Sequence, residues 1–245
     1  MKYPFHILAL LAMCSFSILG KAQRNSYSKK RMVNLNRFDD KTIHFGFSLG
    51  VNSSDFLMES DISKSDSLVK LESNPQLGFN LGIVTDLHLG THFNLRFIPT
   101  LSFSQRNLEY TYNTANSERP TSYTKPVEST YLDLPLNLKI RSARAGNFAA
   151  YLVGGFMYSY DLTSQEGVEN KTSNLEELVV AINRNTYSYQ VGFGFDFFLE
   201  YFKFSPEFKL SMGLNNNHVQ DESYFSAPIN HLKSRIFLVS FTFEG

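Results

Sequence analysis

Apolar and polar residues alternate one by one in eight long segments of this chain. In residues 43–52 the odd positions are apolar and the even positions are polar or glycine. The same period of two recurs in residues 76–89, 93–104, 132–140, 148–160, 187–199, 202–212 and 237–243. Successive side chains of a β-strand point to opposite faces, so the sequence predicts eight strands, each with one apolar and one polar face.

The length of these segments separates two classes of β protein. Strands of soluble sandwiches commonly have about 5 to 6 residues, whereas most of these segments run to ten or more. A strand tilted across a bilayer needs about 9 to 11 residues, with lipid-facing apolar side chains alternating with polar ones that face the lumen. The pattern therefore favours strands that cross a membrane.

The predicted connections alternate between long and short. Residues 53–74, 113–126, 163–184 and 215–231 form the long ones, and residues 90–92, 141–147 and 200–201 the short ones. Outer-membrane barrels have long external loops and short periplasmic turns. Because an open sheet edge in lipid would leave backbone groups unpaired, the strands must close into a ring. The expected fold is all-β, an eight-stranded antiparallel outer-membrane β-barrel with up-and-down topology, over residues 43–245.

Six glycines fall on the polar phase of these strands: Gly46, Gly50, Gly78, Gly82, Gly192 and Gly194. Small residues inside a narrow barrel make room for long polar side chains opposite. Strand bending or bulges explain single glycines equally well. Both interpretations stay open at this point.

The N-terminus predicts export from the cytoplasm. Lys2 precedes an apolar stretch at residues 7–19, and Gly20-Lys21-Ala22 has the small-x-small form of a cleavage site. The alternative is a membrane anchor, but a spanning helix needs about 20 apolar residues and the stretch at residues 7–19 is shorter. The other alternative is that Cys14 is a lipoprotein cysteine, but the bulky Met13 precedes it where the lipoprotein motif has a small residue. We therefore expect residues 1–22 to be a cleaved signal peptide.

Composition excludes several functional classes. The chain has 23 Lys plus Arg against 23 Asp plus Glu, which gives no electrostatic basis for a nucleic-acid partner. Its single cysteine cannot form an intramolecular disulfide or a cysteine-based zinc site. Aromatic residues make up 15% of the chain although its mean hydropathy is only −0.21. The mean hides the pattern, since it combines an apolar strand face with a polar one.

Charged residues on the polar phase are predicted to meet inside the barrel, near the short turns. They are Asp86, Arg96, Lys139, Asp196, Lys203 and Glu207. A narrow lumen has little room for water, and lone buried charges are costly, so these groups should pair in a network. The network acts either as a structural plug of salt bridges or as a gated path for ions or protons.

Residues 23–42 are expected to form a basic periplasmic segment before the first strand. Its cations are Arg24, Lys29, Lys30, Arg31, Arg37 and Lys41. Such an arm would be free to contact a partner or anionic lipid headgroups. A flexible solvated leader is the alternative.

No catalytic or metal site is apparent in the sequence. His88 and His92 flank a predicted tight turn and share no face. No motif resembles a nucleophile elbow, and we interpret the following acids and histidines as solvated loop residues: Asp55, Glu59, Asp61, His218 and His231. The chain is therefore expected to be neither an enzyme nor a cofactor-binding protein, with no small-molecule substrate.

Two motifs resemble a known family. Phe38, Asp39, His44, Gly46, Gly50, Asn52, Asp55 and Phe56 are similar to the entry of the first strand in PorT-type proteins of Bacteroidota. Tyr131, Asp133, Pro135 and Lys139 match the fourth-strand signature of the broader outer-membrane barrel family. The resemblance departs from many barrels at the C-terminus, where Phe243 is followed by Glu244-Gly245 instead of ending the chain.

The PorT resemblance implies a component of the type IX secretion system. Such a protein would support export of proteins with C-terminal sorting domains, and of gliding adhesins where they are present. It would lie in the Gram-negative outer membrane with both termini periplasmic, in contact with lipid and with other secretion proteins. Because an eight-stranded lumen cannot pass folded cargo, it would act by assembly, regulation or partner contact. The alternative is a small passive barrel, such as a narrow pore, an adhesin or an envelope-stabilising protein.

Overall fold

The structure, a computed structural model, describes residues 33–65, 67–113, 120–164, 166, 178–221 and 223–245. The predicted signal peptide and the arm residues Arg24, Lys29, Lys30 and Arg31 lie outside these residues. Within the described ranges, no helix has the length and apolar content to cross a membrane.

Nine strands form one antiparallel sheet in the described part of the chain. They are β1 Ile43–Ser60, β2 Leu68–His88, β3 Phe93–Phe97, β4 Thr100–Tyr112, β5 Thr121–Arg141, β6 Phe148–Asp161, β7 Asn185–Phe198, β8 Lys203–Gly213 and β9 Ile229–Glu244. Apart from β3 and β4, which do not pair with each other, consecutive strands are paired, and β1 pairs with both β2 and β9, which closes the ring. Both β3 and β4 pair with β2 and β5, so together they occupy one place in a ring of eight. The predicted eight-stranded barrel is confirmed.

The break between β3 and β4 lies at Ile98-Pro99. Proline has no backbone N–H and cannot donate to a sheet ladder. The Pro99 carbonyl still accepts a hydrogen bond from the Ile83 N–H at 3.0 Å, which holds the interrupted strand against β2.

Burial follows the predicted alternation. Phe45 and Phe47 on β1 are 62% and 52% exposed, whereas His44, Ser48 and Asn52 are buried. Apolar side chains therefore cover the outside and polar ones fill the inside, the reverse of a soluble barrel. This apolar belt spans Ile43 to Val51 on β1. It measures about 26 Å along the strand at about 3.3 Å per residue, and about 20 Å across the membrane at a tilt of about 40°, which is close to the apolar band of outer-membrane barrels.

The two ends of the barrel differ. One end, here called the short-turn end, carries the connections at residues 89–92, 142–147 and 199–202, together with the start of β1 and the end of β9. The opposite end, called the long-loop end, is where β1 is followed by β2, β4 by β5, β6 by β7 and β8 by β9.

Several strands extend further toward the long-loop end than the sequence predicts. The predicted loop at residues 53–74 is wrong, because β1 continues to Ser60 and β2 begins at Leu68. Likewise, β5 begins at Thr121 and β9 at Ile229, within predicted loops. Beyond the apolar belt, outward positions of β1 include the polar residues Ser53 and Glu59, so the contrast that marks a strand in the sequence is lost.

The wall also divides in this region. The β1–β2 ladder ends at the Ser54–Gln76 pair, and above it β1 pairs with β9 while β2 pairs with β4. Side chains bridge the start of this seam, where the Ser73 hydroxyl donates to Asp55 Oδ1 at 2.7 Å and accepts from the Phe56 N–H at 3.2 Å.

Candidate functional site in the barrel lumen

All six predicted lumenal charges lie inside the barrel near the short-turn end. Arg96 is at the centre and donates to Asp86 at 3.0 Å and to Glu207 at 3.0 Å. Lys139 donates to both carboxylate oxygens of Asp196 at 2.8 Å. Lys203 has a different partner, Glu244, at 2.7 Å.

Two further residues complete this network, and the sequence analysis missed both. Glu244 accepts from Arg96 at 2.9 Å and forms an ion pair with Lys203, and Lys209 lies 2.8 Å from Glu207. Their position in the alternation was the available signal, since Lys209 follows Glu207 by two residues. Glu244, which at the sequence level is only a departure from a terminal aromatic, is a buried ion-pair partner.

The lumenal network, defined as these eight residues, is formally neutral. Its cations are Arg96, Lys139, Lys203 and Lys209, and its anions are Asp86, Asp196, Glu207 and Glu244. None is more than 8% exposed. Burying ions is costly unless each charge is paired and further hydrogen-bonded. Neutral donors supply those bonds: Asn94 to Asp86 at 2.6 Å and Ser205 to Asp196 at 2.7 Å.

Tyr151 links the two halves of the network. Its hydroxyl donates to Glu207 at 2.9 Å, and Lys139 Nζ lies 3.8 Å from its ring centroid, a cation–π contact. A Cβ on Gly194 would overlap the Tyr151 ring, so this glycine makes room for a large lumenal side chain. At Gly46 a Cβ would instead meet the Phe243 carbonyl of the neighbouring strand, so there the close approach of backbones requires glycine. The predicted role of making room for a long side chain thus occurs at Gly194, whereas the role of Gly46 is neither of the two predicted ones.

Residues 33–42 close the short-turn end. The Phe38 ring stacks on His44, with centroids 3.8 Å apart and planes within 6°, and packs edge-on against Phe198 at 5.8 Å. Asn34 receives a hydrogen bond from Arg144 and donates to the Phe198 carbonyl at 3.1 Å. This segment, called the short-turn cap, is fixed to the barrel. The prediction of a free arm is therefore wrong for these residues, because an apolar ring anchors them.

Some charges at the rim of the short-turn cap are paired or packed against a ring, and others are exposed to solvent. Asp39 pairs with Arg141 at 2.9 Å. Arg144 lies 3.7 Å above the Phe198 ring, and its partial burial lowers the pKa of its guanidinium from the usual value. Of the predicted arm cations, Arg37 and Lys41 fall in the described residues, and both are exposed.

Hydrogen-bonded polar side chains fill the lumen above the network. Asn52 donates to Asn80 at 2.5 Å, and Asn80 donates to Ser102 at 2.8 Å. The fourth-strand motif contributes Asp133, which accepts from Ser159 at 2.5 Å. Its other members, Tyr131, Pro135 and Lys139, also face inward and are buried.

Arg106 connects this layer to the long-loop end. Its guanidinium donates to the Tyr131 hydroxyl at 3.3 Å and to the Ser234 hydroxyl at 3.0 Å. It also lies 4.7 Å above the Phe56 ring. The first-strand motif therefore serves several places. Phe38, Asp39 and His44 lie at the short-turn end, and Asn52 and Phe56 lie higher in the lumen. Asp55 lies at the seam in the wall, where it binds Ser73 and Arg235, and Gly46 and Gly50 lie on β1 between the two ends of the motif.

An apolar cluster fills the long-loop end. It joins the inner faces of β1, β2, β4, β5 and β9 to two long loops and consists of Phe56, Leu68, Leu71, Leu108, Tyr110, Tyr112, Val127, Leu178, Val180, Ile182, Phe225, Ile229 and Leu232. The Tyr110 hydroxyl donates to the Phe225 carbonyl at 2.8 Å, which holds the β8–β9 loop inside. The sequence analysis missed this long-loop plug, although the apolar run at residues 178–182 was a signal.

The acids and histidines interpreted as loop residues have other positions. Asp55 and Glu59 lie on β1, and His231 lies on β9, because both strands extend beyond the belt. His218 is in a loop but is buried, with Nε2 2.8 Å from the Ser226 hydroxyl. Asp61 alone fits the expectation, as an exposed-turn acceptor for Ser63. The structure does not bring the five together as a site.

A family model described as an outer membrane protein beta-barrel domain matches residues 22–219 of the chain. The chain belongs to this family. It is an outer-membrane β-barrel protein, and β9, which closes the ring, follows the matched residues. A search of curated proteins gave no match.

Three solved barrel structures are similar to this outer-membrane barrel. Neisserial surface protein A has 10% identity and a TM-score of 0.39, with 81% of this chain and 95% of that one covered. Pseudomonas aeruginosa OprG has 13% identity and a TM-score of 0.41, with 82% of this chain and 92% of that one covered. The N-terminal barrel domain of P. aeruginosa OprF has 10% identity and a TM-score of 0.33, with 80% of this chain and 96% of that one covered. Similarity at this level carries no information on function.

Chemically, the lumen of this outer-membrane barrel is filled in three layers. The short-turn cap and the neutral lumenal network occupy one end, hydrogen-bonded polar side chains the middle, and the long-loop plug the other end. Such an interior favours a structural plug of salt bridges over a gated path for ions or protons.

Proposed function

We propose that this outer-membrane barrel is a component of the type IX secretion machinery and supports export of proteins with C-terminal sorting domains. The proposal rests on the PorT-type first-strand motif, whose residues take part in both end layers of the lumen. Phe38 and His44 stack in the short-turn cap, and Phe56 packs in the long-loop plug.

The filled lumen is the observation that carries the mechanism. The interior of an eight-stranded barrel is just wide enough for side chains, and here Arg96 holds three carboxylates across it. A folded cargo protein has no passage through such an interior. The protein therefore acts by assembly, regulation or contact with partner proteins, and the translocation pore is a different subunit.

Contact surfaces are available at both ends. We place the short-turn end in the periplasm with both termini, and the long loops outside the cell, because this is the usual orientation of such barrels. Arg37 and Lys41 project from the short-turn cap and continue the charge of the basic segment before it. This end would contact periplasmic members of the machinery.

Cysteine labelling tests this orientation cleanly, since the chain has one cysteine, Cys14. In a Cys14→Ser background, Asn113→Cys places a thiol at the long-loop end and Ala143→Cys at the short-turn end, both at exposed positions. A membrane-impermeant maleimide should label intact cells carrying Asn113→Cys and should label Ala143→Cys only after the outer membrane is opened. The reverse pattern would invert the orientation.

We further propose that the protein has no catalytic role and acts without cofactor, nucleic acid or small-molecule substrate. The buried acids and bases of the lumenal network are paired with one another, as in the Lys139–Asp196 pair, so their charges serve the barrel wall.

The decisive experiment is a clean deletion scored for cargo with a C-terminal sorting domain. Loss of the protein should trap such cargo in the periplasm, and the wild-type chain supplied in trans should restore its secretion. Normal secretion in the deletion strain would reject the proposal and support the alternative of a passive barrel.

A second variant separates the basic segment from the barrel. Because residues 34–41 form the short-turn cap, deletion of residues 24–32 leaves every described contact of that cap in place. This variant should assemble in the outer membrane but export less cargo. Unchanged export would remove the segment from the mechanism.

A further inference from the structure

The outer surface of β7, β8 and β9 contains an apolar groove of about 420 Å³. Two cross-strand rows of lipid-facing side chains form it, Val191–Leu210–Phe237 and Phe193–Phe208–Val239. The stacked rings of Phe193 and Phe208, with centroids 5.3 Å apart, bound one side. Phe237, which is 54% exposed, bounds the other.

The dimensions and chemistry of this groove suit one hydrocarbon chain. Aliphatic side chains line it between aromatic walls, and it lies within the apolar belt. Any lipid next to the barrel touches apolar side chains, however, so a groove alone distinguishes no lipid. The distinction comes from the residues above it.

Cationic residues continue the outer face of β9 from the groove toward the long-loop end. Arg235 is two residues from Phe237, opposite Met212 of β8, and Lys233 is two residues further. Two residues of a strand rise about 7 Å, so these cations lie about 7 and 14 Å from the upper row of the groove. That separation matches a lipid whose chain occupies the groove and whose headgroup lies at the edge of the belt.

The partners of these cations leave donors available. Arg235 binds Asp55 of β1 through one terminal nitrogen, and its side chain is 36% exposed. Lys233 lies opposite the apolar Leu57 and is exposed. The nearby acids, Asp55 and Glu59, are on the β1 side, away from the groove, which lies on the β8 side.

We propose that this surface is a binding site for a phosphate-bearing anionic lipid of the leaflet at the long-loop end. One acyl chain lies in the groove, and the phosphate accepts hydrogen bonds from Arg235 and Lys233. Guanidinium and ammonium groups at a membrane surface are the usual ligands of such headgroups. In the orientation proposed above, this lipid belongs to the outer leaflet.

Native mass spectrometry of the full chain in detergent tests the site. Phosphatidylglycerol and phosphatidylcholine with the same acyl chains should both bind, the anionic lipid more tightly. Lys233→Gln should weaken phosphatidylglycerol binding about fivefold without changing phosphatidylcholine binding. Val239→Trp should fill the groove and weaken both lipids. Arg235 is left unchanged because its loss would strand Asp55.

Lys70→Gln is the matched control, since Lys70 is an exposed lysine on β2, also toward the long-loop end, and is paired with Glu72. It should bind both lipids as the wild type does. Heat-dependent electrophoretic mobility establishes that each variant is folded before binding is compared. Equal phosphatidylglycerol binding by the Lys233→Gln variant and the wild type would overturn the proposal. So would loss of lipid selectivity in the presence of inorganic phosphate at millimolar concentration, because the site would then be a simple anion site.

These measurements do not depend on the secretion role. Lipid binding in detergent is also independent of orientation, so it can stand while the labelling experiment inverts the barrel. Conversely, the deletion and labelling experiments bear on the secretion role and the orientation, and not on lipid binding by the groove.

Discussion

Replacing Arg96 with methionine should strongly destabilise the barrel. The substitution keeps a long side chain but removes the group that holds Asp86, Glu207 and Glu244. The lumenal network would change from neutral to one net negative charge in a region where each residue is at most 8% exposed. Removing one partner of a buried ion pair costs about 3–5 kcal/mol. We expect a loss of stability near the lower value, because Lys203 and Lys209 retain contact with two of the three carboxylates.

Urea unfolding of the protein in lipid vesicles measures this loss. The chain has no tryptophan, so the folded fraction is better read from electrophoretic mobility of unheated samples than from intrinsic fluorescence. Lys70→Gln again serves as the control, because the Lys70–Glu72 side chains are 60% and 50% exposed and such pairs contribute about 0–1 kcal/mol.

A double variant identifies the cause. Arg96→Met combined with Asp86→Asn restores neutrality, so it should be more stable than Arg96→Met alone, although the single Asp86→Asn change is destabilising. If Arg96→Met unfolds within 1 kcal/mol of the wild type, the network does not stabilise the barrel in the way described here.

Three further variants test the other layers. Gly194→Val should force the Tyr151 ring to move and lower the free energy of unfolding by about 1–3 kcal/mol in the same urea assay, while a variant as stable as the wild type would show that no such space is needed. Phe38→Ala should release the short-turn cap from Phe198, so that protease added to the purified folded barrel cleaves residues 33–42 faster; unchanged cleavage would mean that the ring does not anchor the segment. Phe225→Ala should cost about 3 kcal/mol or more if the long-loop plug is a true core, and limited proteolysis should then cut the β8–β9 loop more rapidly, whereas an unchanged cleavage rate would show that the loop is held by other contacts.

The lipid belt made much of the fold predictable from sequence. Where lipid surrounds the barrel, outward positions such as Phe45 and Phe47 must be apolar while inward positions such as Ser48 are polar, and the period of two is plain. Outside the belt this constraint is absent. Residues 53–60 of β1 therefore read as a polar loop although they continue the strand.

The lumenal charges were predictable as a group but not as pairs. Strand phase directs Arg96 and Glu207 inward, yet which charges meet depends on the register of strands far apart in sequence. Arg96 and Glu244 are separated by 148 positions. Only the closed ring, in which β9 returns beside β1, places them within hydrogen-bonding distance.

The short-turn cap and the long-loop plug were the least predictable parts of the lumen. Phe38 in the short-turn cap and residues 178–182 in the long-loop plug lie outside any periodic segment, so no strand pattern directs them inward. They enter the lumen because its ends would otherwise expose apolar inner walls, as around Leu108 and Tyr110, to water.

Planar-bilayer recording of the full chain tests the filled lumen most directly. The wild-type barrel should insert without producing stable single-channel steps, because the lumenal network and the two end layers leave no continuous path. Discrete channels in the wild type that disappear with Arg96→Ala would show instead that the network conducts ions, and would contradict a barrel that acts through its surfaces.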